Sequence, residues 1–98
     1  MSYKIHAVIS EMNDAARTLD KVTEEFADAV SRTKQAASRL TDGWEGDARN
    51  AFVEEQEEAF AYYQLVNEKA KEHAELLRKA AKIYKETDEQ AARILQDV

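Results

Sequence analysis

An apolar seven-residue period runs from Ile5 to Leu40 without a slip, and another runs from Phe52 to Ile94, in a chain that contains no proline. Such a pattern admits amphipathic helix and little else. In the first half, Ile5, Met12, Leu19, Phe26, Thr33 and Leu40 share one heptad position, and Val8, Ala15, Val22, Ala29 and Ala36 follow three residues after each of the first five. Those are the a and d positions of a heptad, and Ile9, Ala16, Val30 and Ala37 widen the stripe on the e side. In the second half, one track is Phe52, Ala59, Val66, His73, Ala80, Thr87 and Ile94. The other is Tyr63, Ala70, Leu77, Tyr84, Ala91 and Val98, with Phe60, Tyr62, Leu76, Ile83 and Leu95 on its flanks. The core and dimer stripe expected from this is Ile5, Met12, Leu19, Phe26 and Leu40 with Phe52, Val66, Leu77 and Ile94. Opposite faces carry helix-supporting pairs such as Asp28 with Arg32, Glu75 with Lys79 and Glu89 with Arg93.

The only two glycines, Gly43 and Gly46, interrupt this pattern together, and the only tryptophan, Trp44, stands between them. The rest of the chain is rich in Ala, Glu, Lys, Leu, Gln and Arg, the strongest helix formers. The sequence therefore predicts an all-α helical hairpin: helix one over about 3–41, a loop over about 42–46, and helix two over about 47–96, as one domain of 98 residues. So short a loop forces the helices antiparallel. Asp42 and Gly43 suit the end of helix one, and Asp47 suits an N-cap or a first-turn acid of helix two. One seam between two helices is a thin core for a chain of this size. The widened stripe predicts a second surface, and a dimer forming a four-helix bundle is the simplest way to cover it.

Charge and motif content narrow the function. A formal charge of -6 and a pI near 4.9 exclude a nucleic-acid binder, whose phosphates demand a basic face, and disfavour an anionic membrane. No stretch is apolar enough to insert stably across a bilayer. With no cysteine there is no disulfide and no thiolate chemistry. No cofactor or metal site is expected. Ala70 and Tyr3 stand three residues before His73 and His6, where a di-iron bundle needs Glu, and there is no H-E-x-x-H. His73 lies on a heptad track as a partly buried packing residue; His6 is solvated. A calcium loop starting at Asp42 would place Trp44, Gly46 and Val53 where carboxylates are required. Neither a nucleophile elbow nor a phosphate-binding glycine loop is present, and the run Glu54, Glu55, Glu57, Glu58 is a solvated helix face. The chain is expected not to be an enzyme. Glu11 and Asp14 interrupt what would be the apolar region of a cleavable signal peptide, so export, if it occurs, reads some other feature.

Trp44-Glu45-Gly46 is a W-x-G tripeptide between two long amphipathic helices in a Pro-free, Cys-free chain of about 100 residues. In this the sequence resembles the WXG-motif, ESAT-like family of bacterial type VII secretion, over its whole length. Near the C-terminus, Tyr84 and Asp88 form Y-x-x-x-D, four residues apart on one helix face, which resembles the second motif of that family. The resemblance implies a small protein without catalytic activity, made in the bacterial cytoplasm and secreted as a folded dimer by a machine with an FtsK/SpoIIIE-type ATPase. It implies as partners a second copy or a related helical hairpin, with Trp44 and Gly46 of one chain beside Tyr84 and Asp88 of the other as export signal. Two alternatives remain open at this point: a chaperone-like partner that carries another helical protein or toxin, and a cytosolic coiled-coil adaptor whose tryptophan merely packs the hinge.

Overall fold

The structure, a computed structural model, describes residues 3–96; Val98 of the second heptad track lies outside the described residues. It contains two helices, α1 (Tyr3–Thr41, 39 residues) and α2 (Asp47–Gln96, 50 residues), joined by residues 42–46, and no strand among the described residues. The fold is an all-α helical hairpin. Arg39 in the last turn of α1 and Asp47 in the first turn of α2 oppose the helix dipoles at the two ends that meet the loop. The chain divides into two compact units, residues 22–70 and residues up to 21 with those from 71 on. In each, a segment of α1 lies against an antiparallel segment of α2.

The unit formed by the start of α1 and the second half of α2 is centred on alanine. Ala16 and Ala74 are both 0 % exposed and Ala81 is buried, with Ile5, Ile9, Met12, Leu19 and Leu77 half-buried around them. Small side chains at facing positions let two helix backbones approach closely. Arg78 crosses the seam to Asp20 and also donates to Glu75 at 2.6 Å. The Asp20 hydrogen bond, reinforced by both carboxylate charges, raises the Arg78 guanidinium above its ordinary pKa against the opposing effect of desolvation.

The unit formed by residues 22–70 is centred on aromatics. Phe26 and Phe60 each meet the Tyr63 ring edge-on, with centroids 5.9 and 6.3 Å apart, and Lys34 lies over Phe60 at 5.4 Å. Thr23 is buried, and its backbone carbonyl accepts a hydrogen bond from the Asn67 side-chain amide at 3.1 Å. A polar pair thus sits within the seam and pins its register.

One of the two seam tracks on each helix is one position away from the heptad expectation. On α1 it runs through Ile5, Ile9, Met12, Ala16, Leu19, Thr23, Phe26 and Val30, alternating steps of four and three. The expected d residues Val8, Ala15, Val22, Ala29 and Ala36 are exposed. On α2, Tyr63, Ala70, Leu77 and Tyr84 alternate with Phe60, Asn67, Ala74, Ala81 and Asp88, so the track from Phe52 to Ile94 becomes a flank. Of the expected stripe, Ile5, Met12, Leu19, Phe26, Phe52 and Leu77 are half-buried, whereas Leu40, Val66 and Ile94 are exposed. His73 is exposed rather than partly buried, because it belongs to that flank. Among the described residues no large side chain is fully buried. Of the surface pairs, Asp28 and Arg32 meet at 3.3 Å; Glu75 pairs with Arg78, and Arg93 donates to the Glu89 carbonyl at 3.4 Å.

Candidate functional site

The turn is built around the last carbonyl of α1. Thr41 is buried, and its hydroxyl donates back to the carbonyls of Ala37 and Ser38 at 3.1 and 3.2 Å. Its own carbonyl accepts from the Trp44 amide at 3.1 Å and from Arg49 Nε at 3.3 Å. Arg49 therefore ties the first turn of α2 to the end of α1, satisfying a carbonyl that a helix end leaves without a partner. The sequence offered no cue to this role beyond a basic residue near a helix C-terminus.

The chain enters α2 through Gly46, whose carbonyl accepts the first helical hydrogen bond from Asn50 at 3.1 Å. Gly46 occupies the N-cap position, and Asp47 is the first-turn acid. Gly46 has φ 93°, in the left-handed region that side chains with a Cβ rarely adopt. Gly43, which suited the end of helix one, does not have positive φ, so α1 ends without a left-handed glycine; the Thr41 carbonyl is taken up by Trp44 and Arg49 instead. A Cβ at either glycine meets no atom within 4 Å. The two glycines should respond differently. Gly46→Ala is expected to cost about 1–2 kcal/mol of backbone strain. Gly43→Ala should be neutral or stabilising by up to about 1 kcal/mol through the unfolded chain. Thermal unfolding of the two variants followed by circular dichroism checks this; equal effects would contradict the assigned turn geometry.

With the turn fixed in this way, the Trp44 ring lies on Phe52, with centroids 5.3 Å apart and planes tilted by 57°. It is nonetheless 42 % exposed. Phe52, expected only as a core residue, is also the platform for the tryptophan. Trp44 is thus held against Phe52 while part of its surface stays in solvent.

Tyr84 and Asp88 lie in the alanine-centred unit, and the turn lies in the other. Tyr84 is half exposed at the rim of the seam. Asp88 is half-buried, and its Oδ2 is enclosed with no hydrogen-bond partner. A carboxylate oxygen left in this state costs free energy that an apolar residue would not. Among the described residues no three His, Cys, Asp or Glu side chains converge as a metal site would need. No described helix is long and apolar enough to cross a membrane. A groove of about 260 Å³ opens beside Phe26, Val30, Lys34, Tyr63 and Asn67, without a convergent set of acid, base or nucleophile.

The model of the WXG100 family, proteins of 100 residues with WXG, matches residues 4–89. No curated protein and no solved structure matches the chain.

Proposed function

The chain belongs to the WXG100 family, small helical proteins of type VII secretion that typically form dimers with each other or with related proteins, and we propose that it is itself a secreted effector whose export signal is composite. In this reading Trp44 and Gly46 of one chain form a single recognition surface with Tyr84 and Asp88 of its partner, and an FtsK/SpoIIIE-type ATPase binds that surface. The chain leaves the cell folded, and it has no catalytic role or cofactor. The observation that carries this reading is Trp44, seated on Phe52 yet 42 % exposed, at a turn already closed by Thr41, Arg49 and Gly46.

Dimerisation supplies the other half of the signal and covers apolar surface that the hairpin leaves in water. Val22, Tyr62 and Val66 in one unit, and Val8, Leu76 and Ile83 in the other, are exposed. Apolar surface repeated at helical spacing marks an interface. A secretion assay in the native host tests the reading. Deleting the secretion ATPase should empty the culture supernatant of this protein while its cellular level holds. Unchanged supernatant levels would overturn it.

A further inference from the structure

Inside a helix the backbone dihedral that follows each aspartate is fixed, and the next amide is drawn into a backbone hydrogen bond. Asp42 escapes both conditions. It is the one aspartate in the sequence followed by glycine, it stands one residue beyond the end of α1, and it is exposed. The backbone hydrogen bonds of the turn use the amides of Trp44 and Asn50 and leave that of Gly43 aside. A Cβ built at Gly43 meets no atom within 4 Å, so the space beside this residue is open. Asp42 enters no ion pair among the described residues that would hold its carboxyl elsewhere.

We propose that Asp42-Gly43 is a modification site, where the aspartate isomerises spontaneously to isoaspartate and thereby releases Trp44 from Phe52. The Gly43 nitrogen attacks Cγ of Asp42, a bond from nitrogen to Cγ forms, and the nitrogen's proton leaves with the carboxyl hydroxyl as water. The product is a five-membered succinimide. Water then opens the ring at one of its two carbonyl carbons. Attack at Cγ breaks the new bond and restores aspartate, whereas attack at the α-carbonyl carbon breaks the original peptide bond and leaves the main chain running through Cβ. One water leaves and one returns, so the mass is unchanged and no oxidant or reductant takes part. Glycine suits the second position because no Cβ crowds its nitrogen or restricts its backbone.

Ring closure requires the bond between Cα and the carbonyl carbon of Asp42 to rotate. The hydrogen bond that spans this rotation runs from the Trp44 amide to the Thr41 carbonyl at 3.1 Å. Opening it does not strand that carbonyl, because Arg49 Nε still donates to it at 3.3 Å. The turn therefore reaches the reactive geometry without unfolding either helix. In the isoaspartyl product one more carbon lies between Thr41 and Trp44, inside the ring that their hydrogen bond closes. The tryptophan is then carried away from its seat on Phe52, where the ring centroids are 5.3 Å apart. The chemistry stands apart from the export reading; joined to it, an aged chain is a poorer substrate than a new one.

Full-length protein aged at neutral pH in water enriched in heavy oxygen tests the proposal. Peptide mapping should show the segment containing Asp42 splitting into two peaks, one of them an isoaspartyl peptide that has taken up heavy oxygen and accepts a methyl group from an isoaspartyl methyltransferase. Segments containing the helical Asp14 and Asp28 should stay single. Gly43→Ala, expected to be neutral for the fold, should slow the conversion by roughly tenfold, a rise in barrier of about 1.4 kcal/mol. In the converted fraction, acrylamide quenching of the single tryptophan should rise and its near-ultraviolet circular dichroism should fall. Conversion of Asp42 no faster than Asp14 and Asp28, while an unfolded peptide of residues 40–47 ages readily, would show that the turn protects the site and would overturn the proposal. Conversion that left Trp44 quenching unchanged would overturn the release of the tryptophan. Neither failure bears on the secretion assay, which reads the unmodified chain.

Discussion

Replacing Asp88 by alanine is expected to lower export by roughly tenfold or more, the loss typical of truncating a recognition hot spot, while the purified protein becomes no less stable. The two halves of this result follow from one atom. Asp88 Oδ2 is enclosed without a partner, so removing it relieves a desolvation cost that works against whatever packing is lost. Alanine is also the better helix former at a position inside α2. A residue retained for the fold would behave in the opposite way, losing stability first and export as a consequence. Quantifying the protein in culture supernatants alongside its melting temperature separates the cases. Full export by Asp88→Ala would remove it from the signal, and a lower melting temperature would make it a structural residue. Asp88→Asn, which keeps the shape and removes the charge, should share the export defect if the ATPase reads a carboxylate.

The second large effect falls on the alanine centre. Ala74→Leu or Ala16→Leu is expected to destabilise the protein by about 1–3 kcal/mol, because a fully enclosed position has no room for added methylenes without moving a helix. For a chain of this length each kcal/mol corresponds to roughly 4–8 °C in melting temperature. Ala61→Leu, on an exposed face of α2, should stay within about 0.5 kcal/mol of the parent. Thermal scans of the three variants decide the matter. Equal melting temperatures would mean that the hairpin does not close on these alanines.

Both helices and the turn between them were legible in the sequence, because a proline-free chain with its glycines in one place has few ways to fold. The faces were less so. Val8 and Ile9, Ala15 and Ala16, Ala29 and Val30, and Ala36 and Ala37 are neighbours of similar character, so periodicity alone cannot tell which member turns inward. At Val22 and Thr23 it points to the wrong one. Thr23 is buried because its carbonyl meets the Asn67 amide, a pairing fixed by a residue 44 positions away that no local pattern contains. The same limit explains Gly43, whose place after α1 suited the end of that helix without fixing how the helix is capped. The Trp44 amide and the Arg49 side chain take up the Thr41 carbonyl in place of a left-handed cap, and the left-handed residue is Gly46. Trp44, Tyr84 and Asp88 stood out by motif, but the Phe52 platform and the enclosed Asp88 oxygen depend on spatial neighbours and emerge only in the folded chain.

The nesting of tertiary contacts around one turn also dictates an order of events during synthesis. Thr23 meets Asn67 across 44 positions and Asp20 meets Arg78 across 58, so each pairing outward from the turn closes a longer loop than the one before. The unit of residues 22–70 can form as soon as Ala70 has left the ribosome, whereas Ile5, Ile9 and Met12, made first, must wait for the last third of the chain. The oldest part of the nascent protein is thus the last to find its partner, and its apolar row is what a cytoplasmic chaperone would meet.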